Sequence, residues 1–122
     1  DAFVRGREEY RLLVREANMQ VRQLFEQAIG LDPDYAEAYN RRASVFLMEE
    51  NMPEALRDVN EALRLEPRHF GAWTGLGRIL EELGAKEEAL EAYREALKIH
   101  PQLEAARAAE SRLTRAQNGQ GL

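Results

Sequence analysis

The sequence predicts an all-α fold, a solenoid of stacked antiparallel helix hairpins closed by a C-terminal capping helix. Three observations predict it. Pro33, Pro67 and Pro101 stand 34 residues apart. The apolar residues around them repeat on the same step, in the columns Val21/Ala55/Ala89, Phe25/Val59/Tyr93, Ala28/Ala62/Ala96, Ile29/Leu63/Leu97 and Leu31/Leu65/Ile99. Upstream, Tyr39/Trp73, Ala43/Gly77 and Phe46/Leu80 extend the match in the last two units. A fixed period of this length marks helical hairpins, each too small to bury its own apolar face, that stack into one continuous core.

The first segment, residues 1–34, admits two readings. Tyr10, Leu13, Val14, Ala17, Val21, Leu24, Phe25 and Ala28 fall at helical spacing without interruption, which suits one long helix over 3–29. The other reading is a degenerate first hairpin broken near Ala17-Asn18. In it Phe3 and Tyr10 take the roles of Tyr39/Phe46 and Trp73/Leu80 after a slight shift of register, and Asn18 caps the second helix. Terminal units of a solenoid are atypical, which favours the hairpin. An unbroken helix could not fold back on itself, so its apolar stripe would need a second chain.

The next unit, 35–68, carries helices over 35–50 and 53–65. Asp34, with Glu37 three residues on, suits the N-cap of the first. The break falls at Glu50-Asn51-Met52-Pro53, where Asn51 caps and Pro53 suits a first turn. Unit 69–102 carries helices over 69–83 and 86–99, separated by a Gly84-Ala85 C-cap. Each proline follows a short apolar run that reads as a last helical turn, and it stops the helix by lacking an N–H and restricting its predecessor. A capping helix over 103–117 follows, and 118–122 reads as a flexible tail.

Composition bounds the function. The 122 residues suit one unit with a single core. A formal charge of −5 gives no electrostatic reason to bind nucleic acid or anionic membranes. No apolar stretch approaches a membrane span, so no membrane insertion is expected. The absence of cysteine excludes disulfides and thiolate metal sites, and is silent on compartment, cytoplasmic or exported. Asp1 in place of methionine reads as a processed or trimmed chain. The Gly/Gln tail argues against a further unit after it.

These columns resemble the tetratricopeptide repeat family. Trp73, Leu76, Gly77, Ala89, Tyr93, Ala96 and Pro101 match its pattern nearly in full, with Leu80 in place of a tyrosine. Tyr39, Ala43, Phe46, Ala55, Ala62 and Pro67 match in the unit before, and residues 18–33 match only the second-helix half. The strings AEAYNRRASVF and LEPRHFGAWTGLGRI are similar to small bacterial members. The resemblance implies a right-handed superhelix and a concave groove, lined by the first helix of each hairpin, that holds an extended or helical peptide. It places the groove residues at Glu37, Asn40, Arg41, Ser44 and Met48, then Thr74, Gly75 and Arg78, then Arg112 on the closing helix. Asn40 can both donate to and accept from a peptide backbone. Arg41, Arg78 and Arg112 would form a basic strip suited to a carboxylate-bearing or acidic segment. The family's clamp for chaperone C-termini is not expected, because Arg41 replaces an asparagine and Gly71 and Gly75 replace a lysine and an arginine.

Other chemistry is poorly represented. The glycines of Gly71-Ala72-Trp73-Thr74-Gly75-Leu76-Gly77 lack the strand and the Gly-Lys-Ser/Thr of a phosphate loop. His69 and His100 have no companions at ligand spacing, so neither metal nor cofactor is expected. Ser44 and Ser111 lie in no elbow motif. Adjacent acidic pairs such as Glu49-Glu50 and Glu81-Glu82 diverge on a helix and read as solvated faces rather than acid/base couples. The expectation is a non-catalytic scaffold that binds a protein or peptide segment. The alternative is a self-associating module, a homodimer through the N-terminal helix or an exposed solenoid end.

Overall fold

The computed structural model describes residues 2–119, and every regular element among them is a helix. In chain order these are α1 (Ala2–Leu31), α2 (Ala36–Met48), α3 (Met52–Leu65), α4 (Phe70–Glu82), α5 (Lys86–Ile99) and α6 (Glu104–Gln117). Helices α2 and α3 pair as one hairpin and α4 and α5 as the next, α3 packs on α4, and α6 closes the stack against α5. The fold is an all-α solenoid. Asn118 and Gly119 form a turn, and the rest of the expected tail lies outside the described residues.

The small residues of the repeat columns let the helices approach. Ala55, Ala62, Ala89 and Ala96 are fully buried. Ala43, Ala55, Val59, Ala62, Ala72 and Ile79 form one apolar cluster, packed around by Tyr39, Phe46 and Leu76. Ala89, Leu90, Tyr93, Ala96, Ala106, Ala109 and Leu113 form the second, with Trp73 and Leu80 against it. Tyr39 and Trp73 also pin the turns between units. The Tyr39 hydroxyl donates to the Pro33 carbonyl at 3.1 Å, and Trp73 Nε1 donates to the Pro67 carbonyl at 2.9 Å. Pro33 and Pro67 each follow the end of a helix, and the carbonyl of each anchors the aromatic in the first helix of the next hairpin.

The first helix of each hairpin is shorter than the spacing suggests, 36–48 and 70–82 against 35–50 and 69–83, because its last residues belong to the turn. That turn is the same in both units. Glu50 and Gly84 occupy the left-handed region, at φ 60° and 82°. The Asn51 and Ala85 N–H groups then donate to the carbonyls of Phe46 and Leu80 at 2.8 and 2.9 Å. The expected caps differ. The α2 N-cap is Tyr35, without a side-chain bond, while the Asp34 N–H donates to the Asp32 carboxylate at 3.1 Å. Asn51 makes no cap bond either. Among α2–α6 the side-chain cap is His69, whose Nδ1 accepts from the Ala72 N–H at 2.9 Å.

Helix α1 decides between the two N-terminal readings. It is one unbroken helix of 30 residues, roughly 45 Å long, so the favoured hairpin reading gives way to the long helix. No proline lies within it, and Ala17-Asn18 has too little breaking power to end it. Only its C-terminal half seats on the solenoid. Arg22 donates to both Glu49 carboxylate oxygens, at 3.1 and 3.3 Å, and lies over the Phe46 ring. Every residue from Ala2 to Ala17 is exposed.

Candidate functional site

The groove predicted from the first helices is built from α2, α4 and α6. Two polar rungs cross between them. Between α2 and the start of α4, Glu37 Oε2 lies 3.0 Å from His69 Nε2. His69 Nδ1 already accepts from the backbone, so Nε2 carries the proton and donates to Glu37. Between α4 and α6, Arg112 donates to both Glu81 oxygens at 2.6 and 3.0 Å. Asn40 fills the space between the rungs. A Cβ on Gly71 would meet Asn40 Nδ2 at 3.3 Å, and one on Gly75 would meet Asn40 Oδ1 at 3.4 Å. The two glycines are the surface against which Asn40 rests. Glu37, Asn40, Glu66, Arg68, His69, Phe70 and Gly71 line an open cavity of about 380 Å³ at the mouth of this face.

The predicted groove residues divide. Asn40 meets Gly75, Glu37 meets His69 and has Arg41 beside it at 3.2 Å, and Arg112 stands apart from these on Glu81. Ser44 is exposed on the same helix and donates to the Asn40 carbonyl. Thr74 is buried, and its hydroxyl donates to the Phe70 carbonyl at 2.9 Å. Met48 lines a different cleft, with Tyr10, Val14, Asn18 and Glu49, where α1 leaves α2. The basic strip is also largely neutralised, since Arg41 is paired with Glu37 and Arg112 with Glu81. Arg78 is exposed and faces no carboxylate within ion-pair distance among the described residues.

Glu81 was expected on a solvated face with Glu82. Instead it is half-buried and accepts from the Tyr93 hydroxyl at 2.7 Å as well as from Arg112. The Arg112 hydrogen bonds hold the Glu81 carboxyl below its ordinary range, partial burial opposes them, and the Tyr93 bond adds to the lowering. Burial, then the hydrogen bond to Glu81, pushes the Tyr93 hydroxyl well above its ordinary range. The charges of Arg78 and Arg112 both act on this spot, each more weakly than that of Glu81. A depressed carboxyl contributes stability that is complete above the unfolded value near 4.3 and is lost as pH falls through the folded one. Melting temperature is therefore expected to hold above about pH 5 and to fall below it, and Glu81→Gln is expected to flatten part of that fall in a thermal melt series.

Sequence reasoning missed His69 as a cap, the Glu81 network and one buried ion pair behind the groove. Arg42 Nε and Nη2 donate to Asp58 at 2.6 and 2.8 Å, and Asp58 is only 3% exposed. The signal was present in the columns. One step on, Arg42 and Asp58 become Leu76 and Ala92, so a complementary charged pair in one unit replaces an apolar pair in the next. No group of three or more potential metal ligands occurs among the described residues.

The family model for the tetratricopeptide repeat matches residues 22–64 and 50–104. A TPR repeat-containing protein of Rhizobium etli is 41% identical over 76 residues, covering 62% of this chain and 37% of that protein. The Hsp70-Hsp90 organizing protein 1 of Glycine max is 32% identical over 77 residues, covering 63% of this chain and 14% of that protein. The matches thus span well under half the length of these curated relatives. Among solved structures, the TPR domain of Arabidopsis OM64 superposes with a TM-score of 0.77 at 28% identity, covering 90% of this chain and 88% of that one. The first TPR of Spaghetti (RPAP3), bound to the HSP90 peptide SRMEEVD, gives 0.79 at 20% identity over 96% and 93%, a likeness of fold.

Proposed function

The chain belongs to the tetratricopeptide repeat family, and from that premise we propose that it is a non-catalytic scaffold holding a peptide or protein segment along the face of α2, α4 and α6. The observation that carries this is the row of side chains on that face. Two rungs fix the spacing of the helices, Asn40 presents an amide between them, and Arg78 supplies a cation without a partner carboxylate. A face held this way is organised before anything binds, which lowers the entropic cost of binding. The structural neighbour solved with SRMEEVD bound holds an acidic-ended peptide. Here the preference for acidic or carboxylate-bearing segments is narrowed to one residue, because Arg41 and Arg112 are committed to carboxylates of their own chain.

The test is a displayed peptide library selected on the wild-type chain. Selected peptides are expected to carry acidic residues, and Arg78→Glu to weaken them about tenfold by removing one charge-assisted contact and adding a repulsion. Because Arg78 makes no ion pair among the described residues, that variant should keep its fold, at a cost of roughly 0.2–0.5 kcal/mol for each like-charge pair made with Glu81 and Glu82. Unchanged affinity, or peptides without acidic bias, would sink the assignment.

A second reading, self-association through α1, is favoured by the exposed apolar residues along that helix.

A further inference from the structure

We propose that two copies of this chain pair through α1 in antiparallel fashion, the N-terminal half of each helix supplying the first helix that the other's terminal unit lacks. This rests on the self-association reading above and adds to it a direction and a register.

The repeat columns show what is missing. In the complete units, each second helix is covered by the first helix of its own hairpin, and Ala55 and Ala89 are 0% exposed. Val21, in the same column, is 39% exposed. Asp58 and Ala92 are both buried at 3%, while Leu24, one step before, is 62% exposed. Among the described residues, 18–31 are thus a second helix without its first. Residues 2–17 are the converse, an exposed helix of about one hairpin arm in length. They cannot turn back onto 18–31, because α1 is continuous. A second copy satisfies both halves at once, and a twofold axis near the middle of α1 makes the exchange reciprocal.

The sequence of α1 fits that occupant. Phe3, Tyr10, Val14, Ala17, Val21, Leu24, Ala28 and Leu31 alternate at steps of three and four, with Arg7 the one polar interruption. This is the seam of a two-stranded coiled coil. Antiparallel pairing that sets Tyr10 against Val21 also sets Phe3 against Ala28, Val14 against Ala17 and Arg7 against Leu24. Large residues then face small ones, and the flanking pairs Arg11/Asn18 and Leu13/Gln20 bring no like charges together.

The experiment uses the full chain, which has no native cysteine. Light scattering is expected to give twice 14.0 kDa, and Leu24→Arg, which sets a like charge against Arg7 in this register, to return the mass to a monomer with an unchanged helical spectrum. Oxidised Tyr10→Cys/Val21→Cys is expected to form a covalent dimer, while Val21→Cys alone stays uncrosslinked. Positions 10 and 21 of one helix lie about 16 Å apart, too far for a bond within one chain. Crosslinking by Val21→Cys alone would mean a parallel pair, overturning this arrangement but not self-association. A monomer at millimolar concentration would overturn both.

Discussion

Arg42→Met is expected to destabilise the chain by about 3–5 kcal/mol, because it leaves a buried carboxylate without its counter-charge. Asp58 is 3% exposed on α3, and both of its oxygens accept from Arg42 on α2. The arginine also lies over the Tyr39 and Phe46 rings at 5.8 and 5.9 Å, so its stem and its charge are both used. The Asp58 hydrogen bonds raise the Arg42 guanidinium further above its ordinary range, against the opposing effect of burial. A domain of this size is stable by about 5–15 kcal/mol in all, so the loss would be plain in a urea titration. The next unit supplies the control. Arg42→Leu/Asp58→Ala installs the pair found at Leu76 and Ala92, and replacing a whole buried ion pair with apolar groups is often neutral. The double variant should therefore be more stable than either single one. A single variant within 1 kcal/mol of wild type, or a double variant worse than both, would show that the pair does not hold α2 to α3.

Gly77→Leu should cost about 3 kcal/mol, the upper end of ordinary overpacking. A Cβ at this position would stand 2.7 Å from Tyr93 Cζ and within 3 Å of two more ring atoms. The ring cannot swing away, because Tyr93 is buried in the second cluster and its hydroxyl is held by Glu81. Here too the preceding unit shows a compatible pairing, Ala43 with Val59. Gly77→Ala should destabilise by less than Gly77→Leu, and Gly77→Ala/Tyr93→Val should be less damaged than the two single effects added together. Additive losses in thermal melts would mean that the two positions are not in contact.

Much of this was legible because the repeat constrains apolar residues twice, once by helical spacing and again by column. Tyr39, Trp73, Ala55, Ala89 and Gly77 were assigned from their columns, and each packs in or against the core. Groove side chains carry no such double constraint. Thr74 lay at a plausible groove position, yet a threonine in a helix readily donates to the carbonyl four residues back, and this one does. Arg41 and Arg112 looked free because their partners, Glu37 and Glu81, were assigned to a groove and to a solvated face. Helix α1 was ambiguous for a simpler reason. A hairpin and a long helix share the same apolar period, and only a breaker separates them; Asn18 is a weak one.

The elbows of the two hairpins share one left-handed residue, but only one of them is glycine. Glutamate at φ 60° holds roughly 1–2 kcal/mol that glycine at φ 82° does not. Hairpins alike in contour therefore differ in what they cost to close. Glu50→Gly would relieve that strain at the first elbow, and Gly84→Ala would impose it on the second.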